Sequence, residues 1–270
     1  MPNTQETPPA ETRHARRPWW ALATWLAWLL ATMYGMRWAS DGSKKPLVDT
    51  VTHGVAWNLV MAIAVLAIAT FAWRWRDLKF VAPSRPGWPR LLWFPVLYLL
   101  FFALLAGLLG LPPAGKLGFV LVNTLLVGLS EEWAFRGVLF QGLRSRLSVW
   151  PALVATTLVF GGVHVLNVIT TGNLGEAVVQ AVAAAMSGTV MMALLLRTGS
   201  LWVPIAYHAL WDFGTFVVSA GPADGGAAAA DITQGMRWAI PMLLVLPNFL
   251  YAVFLLRKVR NDPATTRAAA

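Results

Sequence analysis

The sequence predicts an all-α fold, a polytopic membrane bundle of about eight transmembrane helices, and three observations predict it. Of 270 residues 57% are apolar and only 12% are charged, where soluble domains carry about 25% charged residues. Apolar stretches of about 20 residues recur along the chain, the length needed to cross a hydrocarbon core of about 30 Å. Lys and Arg gather in alternate connections between those stretches, as the positive-inside rule requires. The mean hydropathy of +0.60 agrees with this class. The net charge of +9 follows from topology, and nucleic acid is not expected as a partner. With no cysteine, disulfides and thiolate metal sites are excluded, and any metal would have to sit on His, Asp or Glu.

Taken in order, residues 1–17 are polar and rich in Pro, Thr and Arg, and read as a disordered tail. The expected spans are 19–38, 52–73, 91–111, 117–140, 151–169, 175–196, 201–220 and 238–256. The first follows a basic stretch, as a signal peptide would. It is long, is flanked by Trp19, Trp20 and Trp38, and lacks a small-residue cleavage site, so it reads as a retained helix. Many of the 15 tryptophans fall near span ends, where their amphipathic rings anchor at the interface. Between the second and third spans, Pro83, Pro86 and Pro89 exclude a helix and mark a linker. Residues 221–231 form a Gly/Ala-rich loop, and the Ala-rich C-terminal tail reads as disordered. No internal repeat is visible, which argues against an inverted-repeat transporter. The organisation expected is a tail (1–17), an N-terminal three-helix region (18–116), a four-helix core (117–220), and a last helix with its tail (221–270).

With the N-terminus in the cytoplasm, the inner segments hold 15 Lys and Arg and the outer segments 5, with Arg136 left inside a span. That bias predicts a multi-pass protein with both termini cytoplasmic.

Four spans carry ionisable groups far from their loops: Glu131, Glu132 and Arg136 in the fourth, His164 in the fifth, Glu176 at the start of the sixth, and His208 with Asp212 in the seventh. A charge at mid-helix costs about 2.5–3.5 kcal/mol on insertion scales, so these groups must face one another or water inside the bundle. Glu132 and Arg136 are spaced to form an ion pair on one helix face. Glu131 is rotated from Glu132 by about 100° and so does a different job. The same spacing relates Phe160 to His164 and His208 to Asp212, and Asp212 is placed to hold the His208 imidazole in one tautomer. Two devices are open. Glu131 helped by His164 can deprotonate a water that attacks a carbonyl, or Glu131, His164 and His208 can hold a divalent metal such as zinc that generates hydroxide. Glu176, at a helix N-terminus, answers to the dipole instead. His14 and His53 lie at or outside membrane edges.

Three segments carry a resemblance. Glu131-Glu132-Trp133-Ala134-Phe135-Arg136 resembles the EExxxR signature of the CPBP family, the CAAX-protease and bacteriocin-processing intramembrane proteases. Phe160-Gly161-Gly162-Val163-His164 is similar to its FxxxH, and His208-Ala209-Leu210-Trp211-Asp212 to its HxxxN/D. The resemblance covers residues 117–215 and implies endopeptidase cleavage near the C-terminus of a membrane-anchored protein or peptide, in the cytoplasmic membrane of a prokaryote. It implies that Glu131 and His164 activate water, that His208 and residue 212 support the oxyanion, and that Glu132 and Arg136 are scaffold. It leaves metalloprotease and metal-free glutamate chemistry both open. The family's prenyl-processing branch has Asn where this chain has Asp212. An ionised Asp donates no hydrogen bond, so Asp212 must be protonated or must orient His208. Measured from the expected span ends, Glu131 and His164 also lie about 9 Å deeper than His208; Pro204 is a candidate kink to absorb this. The competing readings are a non-catalytic membrane protein that keeps the fold, and a proton- or ion-coupled transporter using the same acids.

Overall fold

A computed structural model describes residues 10–39, 44–222 and 234–265, which are helical or irregular, with no strand among them. The helices are α1 (Ala10–Ala39), α2 (Leu47–Thr52), α3 (Trp57–Ala72), α4 (Trp93–Leu109), α5 (Ala114–Glu132), α6 (Phe140–Arg144), α7 (Val149–Val163), α8 (Val168–Thr171), α9 (Leu174–Thr198), α10 (Trp202–Ala220) and α11 (Gln234–Leu256). All eight expected spans are helices. Among the described residues, five are long and apolar enough to cross a membrane: Trp88–Leu109, Ala114–Arg144, Val149–Thr171, Leu174–Thr198 and Trp238–Leu256. The other three depart for local reasons. Helix α3 is 16 residues long, α1 interrupts its apolar stretch with Trp19, Trp20, Trp25, Trp28 and Tyr34, and α10 carries Tyr207, His208 and Asp212 within its length.

Helix α1 starts at Ala10, inside the stretch expected as a tail, and runs through Pro18. Pro18, eight residues after the helix start, has no N–H, so the helix forgoes one interior hydrogen bond there. The linker before α4 is non-helical as its prolines require, but ends in a 3-10 turn over Trp88–Leu92 with Pro89 in its first turn, where a missing N–H is tolerated. Most of the Gly/Ala-rich loop, residues 223–231, lies outside the described residues, as do residues 266–270 of the tail.

The residues just before them are not free. Arg144 donates to the carbonyls of Asp262 at 3.3 Å and Pro263 at 2.8 Å, Thr265 N–H donates to the Arg144 carbonyl at 3.0 Å, and Ala264 is buried. Through Thr265 the C-terminal segment is thus docked on the α6–α7 connection, which corrects the disordered reading for that part.

Helix α9 is the central post. Gly188 to Leu195 are buried in an unbroken run, so the helix is enclosed on all sides, as one apolar all round must be. It packs on α7, α10 and α11, while α5 packs on α10, and α1 on α3. Polar side chains tie the layers where water is absent. Asn123 on α5 is fully buried, accepts from Ala56 N–H at 2.8 Å and donates to the carbonyls of Val51 at 2.9 Å and Gly54 at 2.7 Å. It thereby satisfies the backbone of the α2–α3 connection.

Close approach of α5 and α10 depends on Gly128. A Cβ there would meet the Ile205 carbonyl oxygen at 2.8 Å and the Ala209 Cβ at 3.0 Å, so any side chain drives the helices apart. Gly128→Val should destabilise the protein by about 1–3 kcal/mol, the usual cost of overpacking. The expected loss of melting temperature in detergent would be absent if this contact were loose.

Candidate active site

The three signature segments converge where α5, α7, α9 and α10 meet. Glu132 and Arg136 are both fully buried. Arg136 Nη1 donates to Glu132 Oε1 at 3.0 Å and Nη2 donates to the Gly188 carbonyl at 2.8 Å. The guanidinium also lies over the Phe160 ring, 4.2 Å from its centroid, a favourable contact for a desolvated cation. Gly188 permits this, since a Cβ there would stand 2.8 Å from Phe160 Cδ1 and 3.1 Å from Arg136 Nη2. In the middle of this segment the helix changes type. Trp133–Leu139 is a π-helical stretch, and Phe140 N–H bonds the carbonyl of Phe135, five residues back. Such widened turns often sit at functional sites.

Glu132 has a second partner. His208 Nδ1 lies 2.9 Å from Glu132 Oε1. A carboxylate only accepts, so Nδ1 carries the proton and Nε2 points away from it. Nε2 then faces two further carboxylates, Asp212 Oδ2 at 3.5 Å and Glu131 Oε2 at 3.9 Å. The tautomer of His208 is therefore held by Glu132. Asp212, expected from its spacing to do this, sits on the other ring nitrogen.

His164 stands where α7 ends and a 3-10 turn, His164–Asn167, begins. Its own N–H bonds back to Gly161 and Gly162, which leaves the Phe160 carbonyl without its helical donor. The imidazole supplies one, with Nδ1 2.7 Å from Phe160 O. A carbonyl cannot donate, so His164 Nδ1 is protonated and Nε2 keeps its lone pair. The Phe160 ring packs edge-on against His164 with centroids 5.0 Å apart, and also against His208 at 6.2 Å and Phe135 at 4.9 Å. Only 1% of Phe160 is exposed, so it supports both imidazoles and does not reach a substrate.

Glu131 differs from its neighbour in exposure and in having neither Arg136 nor His208 within hydrogen-bond distance. Its side chain is 20% exposed, and its inward-turned Oε2 has no hydrogen-bond partner. No hydrogen bond or ion pair joins Glu131 to His164; the two approach the site from different helices. Among the described residues, no group of three or more His, Asp or Glu side chains is arranged to hold a metal ion. Glu131, His164 and His208, the set expected for a metal, thus do not fit one as built. Glu176 takes no part. It lies in the first turn of α9, and its N–H is capped by Asn173 Oδ1 at 3.1 Å.

The expected difference in depth is absent, since His208 meets Glu131 and Glu132 directly, and α10 begins inside the protein. Thr198, Ser200 and Leu201 are fully buried beneath the linker. Ser84 N–H bonds Thr198 O at 3.1 Å, Leu201 N–H bonds Lys79 O at 2.8 Å and Ser200 Oγ bonds Val81 O at 2.5 Å. His208 therefore lies deeper than its distance from the helix start suggests.

Residues that carried no sequence signal also build the site. Trp28 on α1 donates from Nε1 to Ser130 Oγ at 2.8 Å, one residue before the glutamate pair. Trp25 and Trp28 pack on Phe135 with centroids 5.8 and 5.3 Å away. Asn248 on α11 donates to Tyr207 Oη at 2.5 Å, beside His208.

Residues 113–214 match the family model described as type II CAAX prenyl endopeptidase Rce1-like. This segment carries the chain's assignment to the CAAX-protease family. All three signature segments lie within the match, and α1 to α4 and α11 lie outside it. At the family level this makes it a CAAX-type intramembrane protease and an integral membrane protein. No curated protein and no solved structure matches the chain.

Removing Arg136 would leave Glu132 buried without its cation, with His208 as its remaining partner. Arg136→Met is expected to cost about 3–5 kcal/mol, read as a large fall in thermal stability in detergent. A stability equal to wild type would show that the pair is not the structural node of the site.

Proposed function

We propose that this protein is an endopeptidase that hydrolyses a peptide bond near the C-terminus or membrane segment of a membrane-anchored protein or peptide, with Glu131 as a metal-free general base. The observation that carries this reading is the contrast between adjacent glutamates. Glu132 is fully buried with Oε1 held by both Arg136 and His208, whereas Glu131 is part-exposed and stands 3.9 Å from His208 Nε2, beyond hydrogen-bond range. One acid is spent and the other is available.

The chemistry balances as follows. A water bound at Glu131 gives one proton to the carboxylate, with its second hydrogen accepted by the free Nε2 of His164. The resulting hydroxide adds to the scissile carbonyl carbon, and the carbonyl oxygen becomes an oxyanion. In its doubly protonated form His208 donates Nε2–H to that oxygen, supporting charge where it develops. Asp212 sits beside Nε2 and compensates the imidazolium, so it needs no hydrogen of its own. The C–N bond then breaks as the proton held by Glu131 passes to the leaving nitrogen, giving a carboxylic acid and an amine, between which one further proton passes to leave carboxylate and ammonium. Each general acid–base contribution of this kind is worth about 10²–10⁴-fold.

The basic-residue bias supports a multi-pass arrangement in a prokaryotic cytoplasmic membrane with both termini inside. A prenylated CAAX tail is the substrate class that the family description suggests; a peptide precursor or a C-terminal sorting segment fits the same site.

The test compares wild type, Glu131→Gln and His164→Ala reconstituted in liposomes with a farnesylated CAAX peptide, alongside membrane proteomics for the missing new C-termini. Each variant should accumulate normally and lose about 10²-fold or more in cleavage. Treatment with a chelator should leave the wild-type rate unchanged. Full activity in both variants would overturn the assignment of the base, and a chelator-sensitive rate restored by zinc would overturn the metal-free chemistry.

A further inference from the structure

One polar pair beside the site has no part in the chemistry above. Asn167, at the end of the 3-10 turn that starts with His164, donates from Nδ2 to Gln180 Oε1 on α9 at 2.9 Å. In a 3-10 helix side chains three apart eclipse, each residue rising about 2.0 Å. Asn167 therefore stands on the same edge as His164, about 6 Å further along. Both amides are half-buried, and the bond between them occupies one carbonyl and one NH₂. Whichever way the two amides are oriented, one carbonyl oxygen and one NH₂ group have no hydrogen bond among the described residues. In a segment that lies within an apolar span, such groups are costly to leave without partners.

An unpaired acceptor beside an unpaired donor is the complement of a peptide group. An extended chain advances about 3.3 Å per residue, so a main chain lying along this edge with its scissile carbonyl at the catalytic water brings a peptide group two residues away level with the pair. We infer that Asn167 and Gln180 form a main-chain subsite that holds the substrate extended, two residues from the cleaved bond. This rests on the endopeptidase reading and adds to it a reason why the substrate need share no side-chain motif at that position. The bland alternative is a helix-to-helix hydrogen bond that only ties the 3-10 turn to α9, a common use of buried amides in membranes.

The two are separated by substituting both partners. Replacing both members of a hydrogen bond with apolar groups is nearly neutral for folding, so Asn167→Leu with Gln180→Leu in one protein keeps the helix contact. A purely structural pair predicts wild-type cleavage in that double variant. The subsite predicts that KM for the farnesylated CAAX peptide rises about fivefold with kcat unchanged, the scale of one lost neutral hydrogen bond. A peptide set in which each amide near the scissile bond is replaced in turn by an ester gives the second measurement. On the wild type, the ester two residues from the cleaved bond should raise KM by a similar factor, and on the double variant it should add nothing. Independent, multiplying losses, or an unchanged KM in the double variant, would overturn the subsite. Failure of the wild type to cleave any peptide of the set would instead overturn the substrate reading on which it rests.

Discussion

A carboxylate and a guanidinium enclosed in an apolar bundle have few ways to exist, and the arrangement of this protein follows from satisfying them. Glu132 and Arg136 have no water to turn to. Each must be neutralised by the other and saturated by whatever the neighbouring helices bring. The requirement recruits the Gly188 carbonyl from α9 and the His208 imidazole from α10. It also requires small residues where the helices close in, at Gly128 between α5 and α10 and at Gly188 beneath Phe160. A buried pair of this kind adds little net stability over an apolar one, since desolvation offsets much of the attraction. Its effect is positional: the packing of α5, α9 and α10 that brings Gly188 O to Arg136 and His208 Nδ1 to Glu132 also puts His208 Nε2 beside Glu131.

The same node divides the labour between two adjacent acids. A rotation of about 100° separates the direction of Glu131 from that of Glu132, so one faces the packed interior and the other the opening. Phe160 performs a parallel service for the histidines. Its carbonyl holds His164 Nδ1, and its ring backs both imidazoles. Each histidine therefore has its Nδ1 proton committed to the scaffold, and each presents Nε2 to the same space.

Much of this was legible in the sequence, and the limits have physical causes. The spans were readable because apolar runs of membrane length admit few alternatives. The ion pair was readable because residues four apart share a helix face. What could not be read was anything decided by a partner from elsewhere in the chain. Spacing pointed to Asp212 as the group that orients His208, yet the bond is made by Glu132, 76 residues away. Spacing likewise has no sign of the π-helical turn after the glutamates, or of Trp28 reaching Ser130 across 102 residues. The apparent mismatch in depth arose from assuming that helices begin at the membrane surface; α10 begins inside the protein, under a linker whose prolines marked it only as non-helical. The C-terminal segment looked unstructured by composition and is docked because Arg144 offers it a set of donors.

The central claim is that Glu131 and Glu132, neighbours in sequence, serve chemistry and architecture separately. The most direct test measures turnover and thermal unfolding on the same preparations of Glu131→Gln and Glu132→Gln. The account predicts that the first keeps the wild-type melting temperature and loses turnover, while the second loses melting temperature as well. Equal loss of stability in both, or turnover surviving in the first, would contradict it.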